Sequence, residues 1–93
     1  MNAENLADSG VCRRILIVDD DQMDTEIRAA VLRFHGFSVE TVNSGQEALS
    51  KTVQSNFDVI ILDFDMPGMN GLQVAESLRE QRCRSIIVML SAD

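Results

Sequence analysis

Ile15-Leu16-Ile17-Val18-Asp19-Asp20-Asp21 and Val59-Ile60-Ile61-Leu62-Asp63 decide how this sequence is read. Each is a run of four branched apolar residues that stops on aspartate. Runs of that length and branching read as strands buried on both faces, the habit of parallel sheets. A parallel strand ending in a carboxylate delivers it to the crevice at the carboxyl edge of the sheet, where open α/β folds bind ligands. Acids gathered there repel. Two unit charges roughly 5 Å apart, at an effective dielectric of about 20, cost on the order of 3 kcal/mol. Such a cluster calls for a cation or a shared proton, so the function is to be sought at these aspartates.

Outward from the two runs, strand and helix signals alternate. Asp21 is placed to cap a helix in which Met23, Ile27, Ala30, Val31 and Phe34 form one apolar stripe at helical spacing. Gly36 reads as its stop, with His35 as a helix-terminal residue favoured by the dipole. A short strand follows around Val39 to Val42. Ser44-Gly45-Gln46-Glu47 has the form of a capping box, and Leu49 and Val53 give the next helix its inner face. Pro67-Gly68-Met69-Asn70-Gly71 breaks the chain before a third helix, lined on one face by Leu72, Ala75 and Leu78. Ile86 to Leu90 is a fourth strand. The order β-α-β-α-β-α-β predicts a parallel sheet with right-handed crossovers.

Composition narrows the class. Ninety-three residues make one small domain, and 45% apolar with 25% charged residues is ordinary globular composition rather than disorder or membrane. A net charge of −7 argues against a nucleic-acid-binding surface, which would be basic. Met1 to Val11 has neither a basic segment nor an apolar one, so it reads as a polar, mobile leader rather than a signal peptide. Cys12 and Cys83 read as two reduced thiols, which places the chain in the cytoplasm. No apolar stretch is long enough to span a bilayer.

At this point the residues resemble a known family, the receiver domains of bacterial two-component response regulators. The resemblance runs from Arg14 to Asp93. It rests on Ile15 to Asp21, Ser44-Gly45-Gln46-Glu47-Ala48-Leu49, Val59 to Gly71 and Ile86 to Ala92, with Asp63-Phe64-Asp65-Met66-Pro67-Gly68-Met69-Asn70-Gly71 the most specific stretch. It implies a three-layer, doubly wound, flavodoxin-like α/β fold with strand order 2-1-3-4. It implies that Asp63 accepts a phosphoryl group from a histidine kinase or a histidine phosphotransfer protein, forming an aspartyl phosphate. Asp19 and Asp20 resemble the acidic pair that, with Asp63 and the backbone carbonyl of Asp65, holds Mg²⁺ or Mn²⁺. Ser91 stands where the family carries its phosphoryl-binding switch hydroxyl, and Ala92 where it carries a small neighbour. An all-oxygen ligand set suits Mg²⁺, which offsets both the repulsion among the acids and the charge on the phosphoryl oxygens.

The family pattern continues through a further helix, a fifth strand bearing a lysine and an aromatic switch residue, and a last helix. This sequence has none of these; Lys51, its only lysine, falls in the second helix. The expected organisation is therefore a leader over residues 1–12 and a C-terminally incomplete receiver domain over 13–93. The Ile86 to Leu90 strand becomes an exposed apolar edge that invites self-association. The leading expectation is a phosphoacceptor signalling module, not an enzyme, binding no nucleic acid and no membrane through this domain. Two alternatives are an interaction module that keeps the fold without phosphorylation, and a haloacid-dehalogenase-type phosphatase, whose Asp-x-Asp start Asp63-Phe64-Asp65 also fits.

Overall fold

A computed structural model of the chain describes residues 14–90; the expected leader lies outside them. The elements in chain order are β1 (Arg14–Val18), α1 (Gln22–Phe34), β2 (Ser38–Val42), α2 (Gly45–Gln54), β3 (Val59–Asp63), α3 (Gly71–Glu80) and β4 (Ile86–Leu90). The four strands form one parallel sheet in the order β2-β1-β3-β4, as the sequence predicts. β1 and β3 are neighbours, with Val18 opposite Leu62, so their following aspartates leave the sheet side by side.

The alternation of side chains along β1 builds a core on each face of the sheet. Leu16 and Val18 pack with Ile60, Leu62, Ala48, Val74 and Leu78 on the face covered by α2 and α3. Ile15 and Ile17 pack with Ala29 and Val39 beneath α1. Leu16, Ile17, Val18, Ile60 and Leu62 are fully buried, as expected for strands covered on both sides.

The helices meet the sheet differently from the sequence reading. In α1 the buried residues are Thr25 and Ala29, with Leu32 partly buried, while the stripe Met23, Ile27, Ala30, Val31 and Phe34 faces outward. Small residues at 25 and 29 let the helix backbone approach the sheet, and the larger side chains turn away. Similarly, Ala48 rather than Val53 anchors α2, and Val74 with Leu78 anchors α3 while Leu72 is exposed. Val53, 74% exposed, and Leu72, 53% exposed, fall on the outer side of an apolar arc wider than the core it meets.

Capping follows the sequence more closely. Asp21 Oδ1 accepts from the Asp24 backbone N–H at 3.1 Å. Ser44 Oγ accepts from the Glu47 N–H at 3.2 Å, but the reciprocal box forms at Asn70 and Gln73, each side chain accepting the other's backbone N–H at 2.9 Å. Gly36 ends α1 with φ of 94°, and the bonds Phe37 N–H to Leu32 and Gly36 N–H to Arg33 satisfy the last carbonyls.

Candidate functional site: an acidic cluster at the carboxyl edge

Asp19 and Asp20 follow β1, and Asp63 ends β3. One carboxylate oxygen from each lies within 4.8 Å of the others. The cluster is graded in exposure: Asp19 is buried, Asp63 partly buried and Asp20 exposed. Three of the expected site residues therefore meet.

Asp19 is the best held. Its Oδ1 accepts from the Asp21 backbone N–H at 2.9 Å, and its Oδ2 accepts from Arg28 Nη1 at 2.6 Å. Asp63 is the perturbed member. Burial pushes its carboxyl above the ordinary value, and the charge of Asp19 pushes the same way. A backbone hydrogen bond from Asp65 opposes them, while the charges of Asp20 and Asp65 add to the rise. Desolvation and like charge both disfavour the anion, which marks Asp63 as a candidate functional carboxylate.

The loop after β3 is pinned close to the cluster. The Phe64 N–H donates to the Leu90 carbonyl and the Gly71 N–H to the Phe64 carbonyl, each at 2.9 Å. A Cβ on Gly71 would stand 2.8 Å from the Asp63 carbonyl oxygen and 2.9 Å from Phe64 Cα, so only glycine lets α3 start this near the end of β3. Asp65 is exposed and meets Asp63 through its backbone. Ser91 and Ala92 lie outside the described residues.

Sequence reading missed Arg28. Its one legible signal was a long cation two turns past the Asp21 cap, in the same row of α1 as Thr25 and Ala29. A concavity lies at the opposite, amino edge, lined by residues that include Phe57, Asp58, Cys83 and Ser85. It gathers no cluster of acids, so the chemistry points to the carboxyl edge. His35 stands at the far end of α1, with its ring against Phe34. Among the described residues, no helix is long and apolar enough to cross a membrane.

A sequence model of the response regulator receiver domain matches residues 15–93. The transcriptional regulatory protein TcrA of Mycobacterium tuberculosis is 37% identical over 84 residues, 90% of this chain and 32% of the relative. The chain thus spans about a third of the length of such curated relatives. The crystal structure of response regulator TrrA from Thermotoga maritima in complex with Mg²⁺-BeF aligns with a TM-score of 0.82 at 38% identity, over 87% of this chain and 70% of that one. TrrA in its complex with the histidine kinase ThkA aligns at 0.80 and 39%, over 86% and 69%. These matches carry the receiver reading and lend nothing to the dehalogenase alternative. A fold and an acid cluster built as the sequence predicts, matched along nearly the whole chain by one family, lead to one conclusion: the chain belongs to the response regulator receiver domain family.

Proposed function

We propose that this domain takes a phosphoryl group onto Asp63 from a phosphohistidine donor, a histidine kinase or a histidine phosphotransfer protein. The observation that carries this reading is the meeting of Asp19, Asp20 and Asp63 within 4.8 Å, in a chain of the receiver family. A carboxylate oxygen of Asp63 attacks phosphorus; the P–O bond forms as the P–N bond to the donor imidazole breaks, and the imidazole leaves with the electron pair.

The donor set fits a hard divalent cation. It is all oxygen, and one carboxylate oxygen from each of three aspartates lies within 4.8 Å of the others. Asp19, Asp20 and Asp63, with the Asp65 backbone carbonyl, would hold Mg²⁺ or Mn²⁺, which supplies neutralisation of the phosphoryl oxygens. Asp19 is pre-oriented by its two hydrogen bonds, whereas exposed Asp20 is free to turn towards the ion. Ser91 directly follows Leu90, whose carbonyl bonds Phe64 beside the acceptor, which supports Ser91 as the phosphoryl-binding hydroxyl.

The outward stripe of α1 supports the partner reading. Met23 is 73% exposed and Ile27 59%, and they stand at the end of α1 nearest the acids. That apolar surface is suited to a helical donor presenting its phosphohistidine to Asp63. TrrA is a relative whose structure is known in complex with the histidine kinase ThkA.

The test is transfer of radiolabelled phosphate from a phosphorylated donor in Mg²⁺. Label should appear on the chain, vanish in Asp63→Ala and be lost in alkali or hydroxylamine, as an acyl phosphate is. Label that persists in Asp63→Ala, or a base-stable linkage, would sink the assignment. No label on the parent with a donor that phosphorylates other receivers would favour the interaction-module reading.

A further inference from the structure

Arg28 contributes a charge to the acidic crevice that the phosphoacceptor reading does not use. Its guanidinium donates to Asp19 Oδ2 at 2.6 Å, and the two side chains are 39% and 6% exposed. Side chains on a helix lean towards its N-terminus. From two turns inside α1, Arg28 therefore reaches back to the helix start, where β1 delivers its aspartates. Both oxygens of Asp19 are then engaged, one by the Asp21 N–H and one by Arg28.

The other described cations are placed elsewhere. Arg14 pairs with Glu40, as does Lys51; Arg33 bonds the Val39 carbonyl and Arg79 the Cys83 carbonyl; Arg82 and Arg84 lie in the turn before β4, at the amino edge. Among the described cations, Arg28 alone is bonded to the cluster. Three carboxylates with one guanidinium carry a net charge near −2 rather than −3. That reduction eases the repulsion in the metal-free protein, and it leaves less negative charge for a dication to meet.

We infer that Arg28 is a resident counter-ion of the phosphorylation site, which keeps the metal-free crevice folded and holds its affinity for the divalent cation down. Arg28 is thus a positioning and tuning residue, acting through Asp19. The inference rests on the metal site proposed above. A cation held by Asp19 would share that carboxylate with Arg28, so each would weaken the other's hold on it.

Isothermal titration of the 93-residue chain with MgCl₂, at fixed ionic strength, tests this. Arg28→Gln should bind Mg²⁺ about three- to tenfold tighter than the parent, as the removal of one like charge several ångströms from the ion implies, and should melt at lower temperature without metal. Arg28→Lys, which keeps the charge, should return Kd towards the parental value. Arg82→Gln, an equal loss of charge at the amino edge, should leave Kd unchanged. Parental Mg²⁺ binding with an equal or weaker Kd in Arg28→Gln overturns the inference and leaves the metal site standing. So does an equal tightening in Arg82→Gln, or an Arg28→Lys that behaves as Gln. Mg²⁺ binding by none of the proteins overturns the metal site as well. Should Arg28→Gln fail to fold, Arg28→Lys against Arg28→Met, each judged folded by circular dichroism, carries the same comparison.

Discussion

The two edges of this sheet treat charge in opposite ways. Towards the amino edge, charges are paired where they are made. Arg14 bonds the Asn56 carbonyl and Glu40 at 2.8 Å each, lies over the Phe57 ring, and gives its backbone N–H to Asp58; Lys51 meets Glu40 at 2.7 Å. Buried Ser85 donates to the Phe57 carbonyl. At the carboxyl edge, Asp19, Asp20 and Asp63 crowd together around a single guanidinium. The first edge stabilises the fold without help. The second sacrifices stability, and a chain retains such a defect where something binds. Clustered charges thus have different meanings, set by whether the opposite sign is supplied within the fold.

If this contrast is right, a divalent cation should distinguish the edges. The parent should gain about 1.4 kcal/mol at free Mg²⁺ ten times its Kd, a rise of roughly 5–10 °C in a domain of this size. Asp20→Asn should lose most of that gain, because it removes a ligand from the exposed side of the cluster. Glu40→Gln should keep it in full. Thermal melts with and without Mg²⁺ decide. A metal response lost in Glu40→Gln but kept in Asp20→Asn would invert the comparison.

Protons should distinguish them next, with opposite signs. The folded carboxyl of Asp63 is raised above its ordinary value of 3.8 by burial first and by Asp19 second. Its stabilising contribution is full below that ordinary value and is lost as pH rises through the raised one. Glu40 is lowered from 4.5, first by its hydrogen bond from Lys51 and against an opposing push from burial. Its contribution is present above 4.5 and is lost as pH falls through the lowered value. In urea titrations without metal, Asp63→Asn should raise neutral-pH stability by about 1 kcal/mol and remove the decline on the alkaline side. Glu40→Gln should cost less than about 1 kcal/mol, since its ion pairs are a third exposed, and should remove the loss on the acid side. A neutral-pH loss in Asp63→Asn would show that the acid cluster is not the strained edge.

The same contrast explains what could be read from the sequence. The sheet was legible because β1 and β3 are buried on both faces, so their whole length is apolar and ends abruptly on acid. Once β1 and β3 are neighbours, backbone geometry alone brings Asp19, Asp20 and Asp63 together, and no side-chain detail is required. The helix faces were less legible. Met23, Ile27, Val31 and Phe34 satisfy the spacing rule for an inner face, yet Thr25 and Ala29 lie against the sheet. Periodicity reports that a helix has an apolar side, not which side meets this sheet and which is left for another surface. Arg28 escaped for a related reason: its role depends on a tertiary reach from α1 to β1, which spacing along the chain does not encode. Ser44 shows a milder limit, since its four-residue pattern yields one capping bond while Asn70 and Gln73 make two.

The smallest effect is expected at Arg82, an amino-edge residue with a strained backbone. α3 ends with Arg82 N–H bonded to the Arg79 carbonyl and Cys83 N–H to the Leu78 carbonyl, an arrangement that puts Arg82 at φ of 63°. Gly36 occupies the equivalent place after α1, at φ of 94°. A side chain in this left-handed region costs about 1 kcal/mol, and glycine avoids that cost while giving back part of it as entropy of the unfolded chain. Arg82→Gly should therefore stabilise the domain by a few tenths of a kcal/mol, read as a shift in urea midpoint with unchanged slope, and Gly36→Ala should destabilise it by about 1 kcal/mol. Because the strain at Arg82 lies far from the acids, the gain should be the same with and without Mg²⁺. A gain that appears only in the presence of the cation would mean that the two edges are coupled through α3, and the division of labour drawn between them would have to be given up.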